Sequence, residues 1–353
     1  MSSRKAHLRP FRLLSAASVV VLLMLLPQTG LAGGRTGDVY VLTNQPQPTG
    51  NAVMVFHRDA AGMLSSAGSF ATGGNGTGTG LGSQGAALLS GDNRLLFAVN
   101  AGSNSISVFA VSGDRLTLLD TVSSGGSQPI SLTVRHNLLY VLNAGTPNIS
   151  GFTIEPARHL LVPLPGSTQA LPGGAAAAPA QVAFGPDGDV LVVTEKGTNH
   201  VDTFTVDDEG LAQPGVSFPS NGTTPFGFAF GHDDVAIVSD AGSGAGSAAV
   251  SSYELDEDGN LEVITPALGD TQTAACWVVV PRNGRFAYTS NTGSGTVSSY
   301  TVSHGGNLAL LNAVAASMGS GRRPNRHGLH RQQPLPVCTE QRERNYQWLP
   351  CPS

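Results

Sequence analysis

Apolar runs of five or six residues, each closed by a polar residue, recur along this chain about every fifty positions. The clearest copies are Val39-Tyr-Val-Leu-Thr-Asn44, Leu95-Leu-Phe-Ala-Val-Asn100 and Leu138-Leu-Tyr-Val-Leu-Asn143. Weaker copies stand at Val190–Glu195, Val235–Asp240 and Phe286–Asn291, and the six closing residues lie 56, 43, 52, 45 and 51 positions apart. A short, continuous apolar run predicts a strand buried on both faces. One unit shows the full pattern around it. Gln181 to Phe184 is a first strand, and Gly185-Pro-Asp-Gly188 turns into Val190 to Thr194. His200 to Val206 then alternates, with Val201, Phe204 and Val206 among polar partners. Asp207-Asp-Glu-Gly210 is a hairpin, and Leu211 to Phe218 is an outer strand.

The other units share these joints. The outer hairpin recurs as Ser112-Gly-Asp-Arg-Leu116, Asp256-Glu-Asp-Gly-Asn-Leu261 and Ser303-His-Gly-Gly-Asn-Leu308. The lead-in to the inner strand recurs as Gln128-Pro129, Pro179-Ala180 and Thr224-Pro225, where proline is tolerated because a first strand residue need not donate to the ladder. Four short strands per repeat of 40 to 50 residues predict an all-β β-propeller with four-stranded blades. The first unit, near Asp38, lacks an inner strand. Residues near the C-terminus are expected to supply it, which would leave no long free sheet edge.

Residues 33–320 hold six recognisable blades, and the flanks are of another kind. Arg4, Lys5, Arg9 and Arg12 precede an apolar stretch, Leu13 to Leu26, and the small residues Gly30-Leu31-Ala32. Residues 1–32 therefore read as a secretory signal, so the protein is expected to be periplasmic or secreted, with no membrane span after cleavage. Residues 321–353 share no pattern with the repeats. Back-translated and read one base later, the stretch from Asn325 onward permits TDMAFTDNSRFLYVLNSGSGTISGF, which has the grammar of another blade. We read this segment as the out-of-frame remnant of a seventh blade, so that a seven-bladed design ends in a blade disrupted by a frameshift.

Charge divides along the same boundaries. Residues 33–320 carry nine basic and 22 acidic residues, a net of −13, while the net over the whole chain is −5. A body so poor in cations repels polyanions, so nucleic acid is not an expected partner. Three cysteines do not make a disulfide framework, and Cys276 reads as a small core residue. His57, His136, His159, His200, His232 and His304 show no metal spacing, so no metal or other cofactor is expected. Asp256-Glu-Asp-Gly259 resembles part of a calcium loop, but it recurs as a hairpin and lacks the distal acid. Gly80-Leu-Gly-Ser-Gln-Gly85 fits a phosphate-loop spacing without the helix that should follow, and reads as a linker between blades.

Val108-Phe-Ala-Val-Ser-Gly-Asp-Arg-Leu-Thr-Leu118, Gly125-Gly-Ser-Gln-Pro129 and Leu138-Leu-Tyr-Val-Leu-Asn-Ala-Gly145 resemble the seven-bladed lactonase family, which includes 6-phosphogluconolactonase and carboxymuconate-cyclase proteins. The resemblance covers roughly residues 38–316 and implies a lactone hydrolase. Two departures accompany it. Family enzymes often carry His just after the proline of an inner strand, where this chain has Ile130, Ala180 or Gln181, Phe226, and Cys276 or Trp277. The family is also expected to use Arg and Glu on an anionic lactone, yet Arg58, Arg94, Arg115, Arg135, Arg158, Arg282 and Arg285 fall mostly in turns away from the inner strands.

The centre of a propeller, where inner-strand ends converge, is the expected site. Glu195 and Lys196 are the candidate catalytic pair: Glu195 replaces the repeat's Asn, and Lys196 is the only lysine after residue 32. A carboxylate beside a cation can orient water or polarise a lactone carbonyl; the plain alternative is a solvated turn. Gln84, Ser131, Gln181, Asp240 and Trp277 are candidate substrate-binding residues, with packing between blades as the alternative for Trp277. Two functions follow. One is a lactonase-like hydrolase of a small, weakly charged lactone. The other is a non-catalytic, ligand- or protein-binding propeller of the cell envelope. The expected partner is a small molecule or an envelope protein, and the expected state is a monomer.

Overall fold

The computed structural model describes residues 37–155 and 160–317, and in them each repeat forms one antiparallel sheet. Blade I is β1 (Gly37–Leu42), β2 (Ala52–Arg58) and β3 (Leu64–Ala71). Blade II is β4 (Ala87–Leu89), β5 (Leu95–Asn100), β6 (Ser105–Ser112) and β7 (Arg115–Ser123). Blade III is β8 (Pro129–Arg135), β9 (Leu138–Asn143), β10 (Asn148–Ile154) and β11 (Leu161–Pro163), with the short β12 (Gln169–Ala170) also paired to β10. Blade IV is β13 (Pro179–Phe184), β14 (Val190–Glu195), β15 (His200–Thr205) and β16 (Val216–Pro219). Blade V is β17 (Pro225–Phe230), β18 (Val235–Asp240), β19 (Ala249–Leu255) and β20 (Leu261–Gly269). Blade VI is β21 (Ala275–Val279), β22 (Phe286–Asn291), β23 (Thr296–Val302) and β24 (Leu308–Ser317).

The apolar repeat line is the second strand of every blade. In β5, β14 and β18 all six residues are buried, as a strand between two covered faces requires. The inner strands of successive blades touch one another: β4 and β8, β8 and β13, β13 and β17, β17 and β21. The core is accordingly layered between blades. One apolar layer joins blades I to III through Val53, Phe97, Phe109 and Val141. Others join blade III to IV, IV to V and V to VI. Each fully buried aromatic such as Phe97 or Phe204 contributes about 2–3 kcal/mol by leaving water.

Polar latches add register. The outer hairpin of a blade offers a glycine carbonyl to a hydroxyl of the blade before it. Tyr140 Oη donates to Gly210 O at 2.7 Å, Thr203 Oγ1 to Gly259 O at 2.7 Å, and Ser252 Oγ to Gly306 O at 2.8 Å.

Among the described residues there are six blades, and blade I has no inner strand, as the repeats predict. One expectation is refined. The outer strand of blade IV begins at Val216 rather than Leu211. Pro214 removes a ladder donor there and Gly215 packs flush against the Phe204 ring, so only a single Val206–Ala212 bridge precedes it. The expected signal at residues 1–32 and the out-of-frame tail at 321–353 lie outside the described residues.

Candidate functional site

Inner strands start, and second strands end, on one face of the propeller. Pro129 pairs with Asn143, Pro179 with Glu195, Pro225 with Asp240 and Ala275 with Asn291. The closing residues of blades II to VI therefore gather on this face, and they share a task. Asn100 Nδ2 donates to Ser105 and Ser107, and Asn143 Nδ2 to Ser124 O and Asn148. Asp240 accepts from Ser220 at 3.3 Å and Ser251 at 2.6 Å. Each of these side chains ties its own third strand, or the linker arriving from the blade before, to the second strand. A linker glycine lies flush on each. A Cβ at Gly74, Gly126, Gly173 or Gly222 would overlap Asn100, Asn143, Glu195 or Asp240 respectively.

Glu195 belongs to this set. Its side chain is fully buried; Oε1 accepts from Gly173 N at 3.0 Å and Oε2 from Thr198 Oγ1 at 2.5 Å. The pair put forward from the sequence is thus divided, with Glu195 turned into blade IV as a clamp and Lys196 at the mouth of the axis. Asp240 is likewise 1 % exposed and held between blades, where burial pushes its carboxyl up to about 6 against the lowering pull of Ser251 and Ser220.

The remaining candidates do meet, around a segment of chain that fills the axis. Ser83 Oγ donates to Ile130 O at 2.8 Å, and Ser131 Oγ to Gln84 O at 2.6 Å. Gln84 Nε2 lies 3.4 Å from Phe228 O and 3.3 Å from Val278 O, and its backbone N donates to Ala180 O. Gln181 brackets Phe228, donating to its O at 3.0 Å and accepting from its N at 2.8 Å. Trp277 Nε1 donates to Ser83 O at 3.1 Å. Residues 83 and 84 thereby bond to blades III, IV, V and VI. Gln84, Ser131, Gln181 and Trp277 are all buried, and their polar atoms are engaged by this hub. The Gly80–Gly85 stretch, read as a plain linker, supplies it; glycine lets the backbone come this close to four sheets.

Lys196 sits above the hub. Its Nζ donates to Gly82 O at 2.6 Å and Pro179 O at 3.0 Å, and stands 4.6 Å from the centroid of the Phe226 ring. Phe226 meets Trp277 edge-on at 6.1 Å. Ala180, Phe226, Cys276 and Trp277 form an apolar floor, with Ala241 and Ala274 partly open beside it. Cys276 is buried there, in the place of a small core residue. Burial lowers the Lys196 ammonium to about 8. An ammonium with two of its three hydrogens on carbonyls has one left for a third acceptor. Phe226, noted in the sequence only for standing where family enzymes carry His, could not be read as the ring beneath Lys196, because only the axial convergence of β14 and β17 brings them together.

A second concavity, of about 290 Å³, lies on the opposite face between blades III and IV, lined by Arg135, Thr153, Asp187 and the Asp207–Gly210 hairpin. No three His, Cys, Asp or Glu residues cluster as metal ligands among the described residues, and no helix there is long and apolar enough to cross a membrane.

A family model described as lactonase, 7-bladed β-propeller, matches residues 49–176 and 237–336. Solved structures share the fold. A putative 6-phosphogluconolactonase from Bacteroides fragilis aligns with a TM-score of 0.63 and 16 % identity over 80 % of this chain and 81 % of that one. A protein from Lactobacillus plantarum gives 0.61 and 20 % over 78 % and 82 %. The periplasmic gluconolactonase of Pseudomonas aeruginosa gives 0.59 and 17 % over 80 % and 83 %. At these identities the likeness is one of fold. No curated protein matches the chain.

Proposed function

Because the chain belongs to the seven-bladed β-propeller lactonase family, we propose that it hydrolyses a small, weakly charged lactone at the axial mouth marked by Lys196. The observation that carries this reading is a desolvated ammonium over an apolar floor, where a carbonyl can be polarised while the lactone ring rests on Phe226, Ala241 and Ala274. Water adds to the acyl carbon, and the charge that develops on the carbonyl oxygen is met by the third Lys196 hydrogen. Collapse breaks the acyl C–O bond of the ring, whose oxygen takes up the proton given by the attacking water and leaves as the alcohol of a hydroxy acid. A single cation and a body net of −13 favour a neutral lactone over a phosphorylated one.

The test is turnover of the full chain on a panel of neutral γ- and δ-lactones and 6-phosphogluconolactone. We expect turnover of neutral lactones and a loss of about 100- to 1,000-fold in Lys196→Gln, the scale for removing one transition-state hydrogen-bond donor. Absence of turnover on every lactone would leave the second reading, a non-catalytic binding propeller of the cell envelope. That reading draws support from the axis itself, since its polar side chains are consumed by the hub.

We place the protein in the periplasm or outside the cell. The Arg4–Ala32 signal pattern supports this, as does a fold shared with a periplasmic gluconolactonase. We also infer that the gene's intact form encodes a seventh blade. The incomplete blade I, the family's seven-bladed design and the shifted frame from Asn325 onward support that inference.

A further inference from the structure

Blade IV departs from blades II, V and VI at one buried pair. In blades II and VI the amide that closes the second strand donates to a serine seven positions on. Asn100 Nδ2 reaches Ser107 Oγ at 2.7 Å, and Asn291 Nδ2 reaches Ser298 Oγ at 2.8 Å. In blade V the direction reverses, Ser251 Oγ donating to Asp240 Oδ2 at 2.6 Å. Every one of these joints pairs a donor with an acceptor. Blade IV has Glu195 and Asp202 in the same places, both fully buried. Two ionised carboxylates offer only acceptors. Three of their four oxygens are supplied, by Gly173 N, by Thr198 Oγ1, and by Ser217 Oγ to Asp202 Oδ1 at 2.6 Å. Asp202 Oδ2 alone has no donor. A hydrogen on that oxygen would find Glu195, and would spare a dry interior two adjacent negative charges.

We propose that Glu195 and Asp202 hold one proton between them, and that this proton is the hydrogen bond of the blade IV joint, so that its loss at alkaline pH loosens the linker at Gly173 and the turn that carries Lys196. The electrostatics point the same way: burial first, then the Glu195 side chain, push the Asp202 carboxyl up. The groups around the pair do not replace the proton. Ser217 of β16 and Gly173 of the incoming linker are uncharged. His200 of β15 has its Nδ1 at Thr198 O, 2.8 Å away. Lys196 Nζ is engaged at Gly82 and Pro179. Asp240 of the next blade is held by Ser220 and Ser251.

The inference does not depend on catalysis, and its test reads protonation and local opening in the full chain. Infrared spectra at pH 7 should show a protonated-carboxyl stretch in the wild type that is missing from Asp202→Asn; the difference between the two removes any contribution of Asp240. Amide hydrogen exchange at Gly173 and Val201, corrected for its intrinsic pH dependence, should speed up by roughly tenfold between pH 7 and 9 in the wild type. It should stay level in Asp202→Asn. Glu195→Gln is the second variant, since it gives Asp202 an amide donor that cannot titrate, and it should also stay level. The proposal is overturned if the infrared band is the same in wild type and Asp202→Asn. It is equally overturned if wild-type exchange at these amides does not change with pH. Should both variants fail to fold, the wild-type band decides alone: its disappearance as pH passes 8 supports the pair, and its absence at pH 7 overturns it.

Discussion

At the scale of single residues, the polar side chain closing each second strand sets local tolerance. Gly173 has an ordinary helical backbone (φ −72°), so an alanine there meets only a steric obstacle, the Glu195 carboxylate. We expect Gly173→Ala to destabilise the protein by about 1–3 kcal/mol in urea unfolding, while Gly91→Ala, where the space is open, stays within about 0.5 kcal/mol. Asp240 gives a prediction with a sign. Its folded carboxyl is raised to about 6, so the folded state binds the proton more tightly than the unfolded state does. The stability it contributes is whole below about pH 4 and is lost as pH rises through 6. Thermal melting of Asp240→Asn should lack that part of the wild-type decline between pH 4 and 6. Lys196 is shifted in the opposite sense, downward, but its contribution is also lost as pH rises. Its ammonium is lost as pH passes about 8, so lactone turnover above the alkaline background should fall there.

At the scale of elements, the contacts that matter cross from one blade to the next. The Tyr140 hydroxyl donates to Gly210 O and accepts from Ala212 N, joining blade III to the outer hairpin of blade IV. Tyr140→Phe keeps the ring against Phe184 but leaves both backbone groups without a partner. We expect a loss of about 1–3 kcal/mol, read from the urea midpoint at unchanged slope. Hairpin sequences were the most legible elements. Asp256 illustrates why: Oδ1 accepts from Asn260 N at 2.7 Å and Oδ2 from Asn260 Nδ2 at 2.8 Å, a local closure that needs no other part of the chain. The outer strand of blade IV was less legible, because where it starts depends on Pro214 and on the seat of Gly215 against Phe204, a residue of the neighbouring strand.

At the scale of the whole molecule, six blades share layered cores, and blade I presents β1 without an inner partner among the described residues. A chain recoded one base later from near residue 325 should complete that ring. Its melting temperature should exceed that of the present chain, by about 2–4 °C for each kcal/mol gained. Equal melting temperatures would argue that the tail plays no part in closure. The layered core explains why the fold could be read early: each blade buries its apolar line only against a neighbour, so the repeat and the ring are one requirement.

The sequence by itself determined the strands, the hairpins, the propeller and the family, because those follow from a periodic apolar line and from turns closed within a few residues. It also marked Lys196 as an isolated cation. Only the tertiary structure decided that Glu195 and Asp240 are clamps, that residues 83 and 84 fill the axis, and that Asp202 lies against Glu195. The reason is physical. A side chain's role at the centre of a ring is set by which blades converge on it, and residues as far apart as Gln84 and Val278 meet there with no local pattern to announce it.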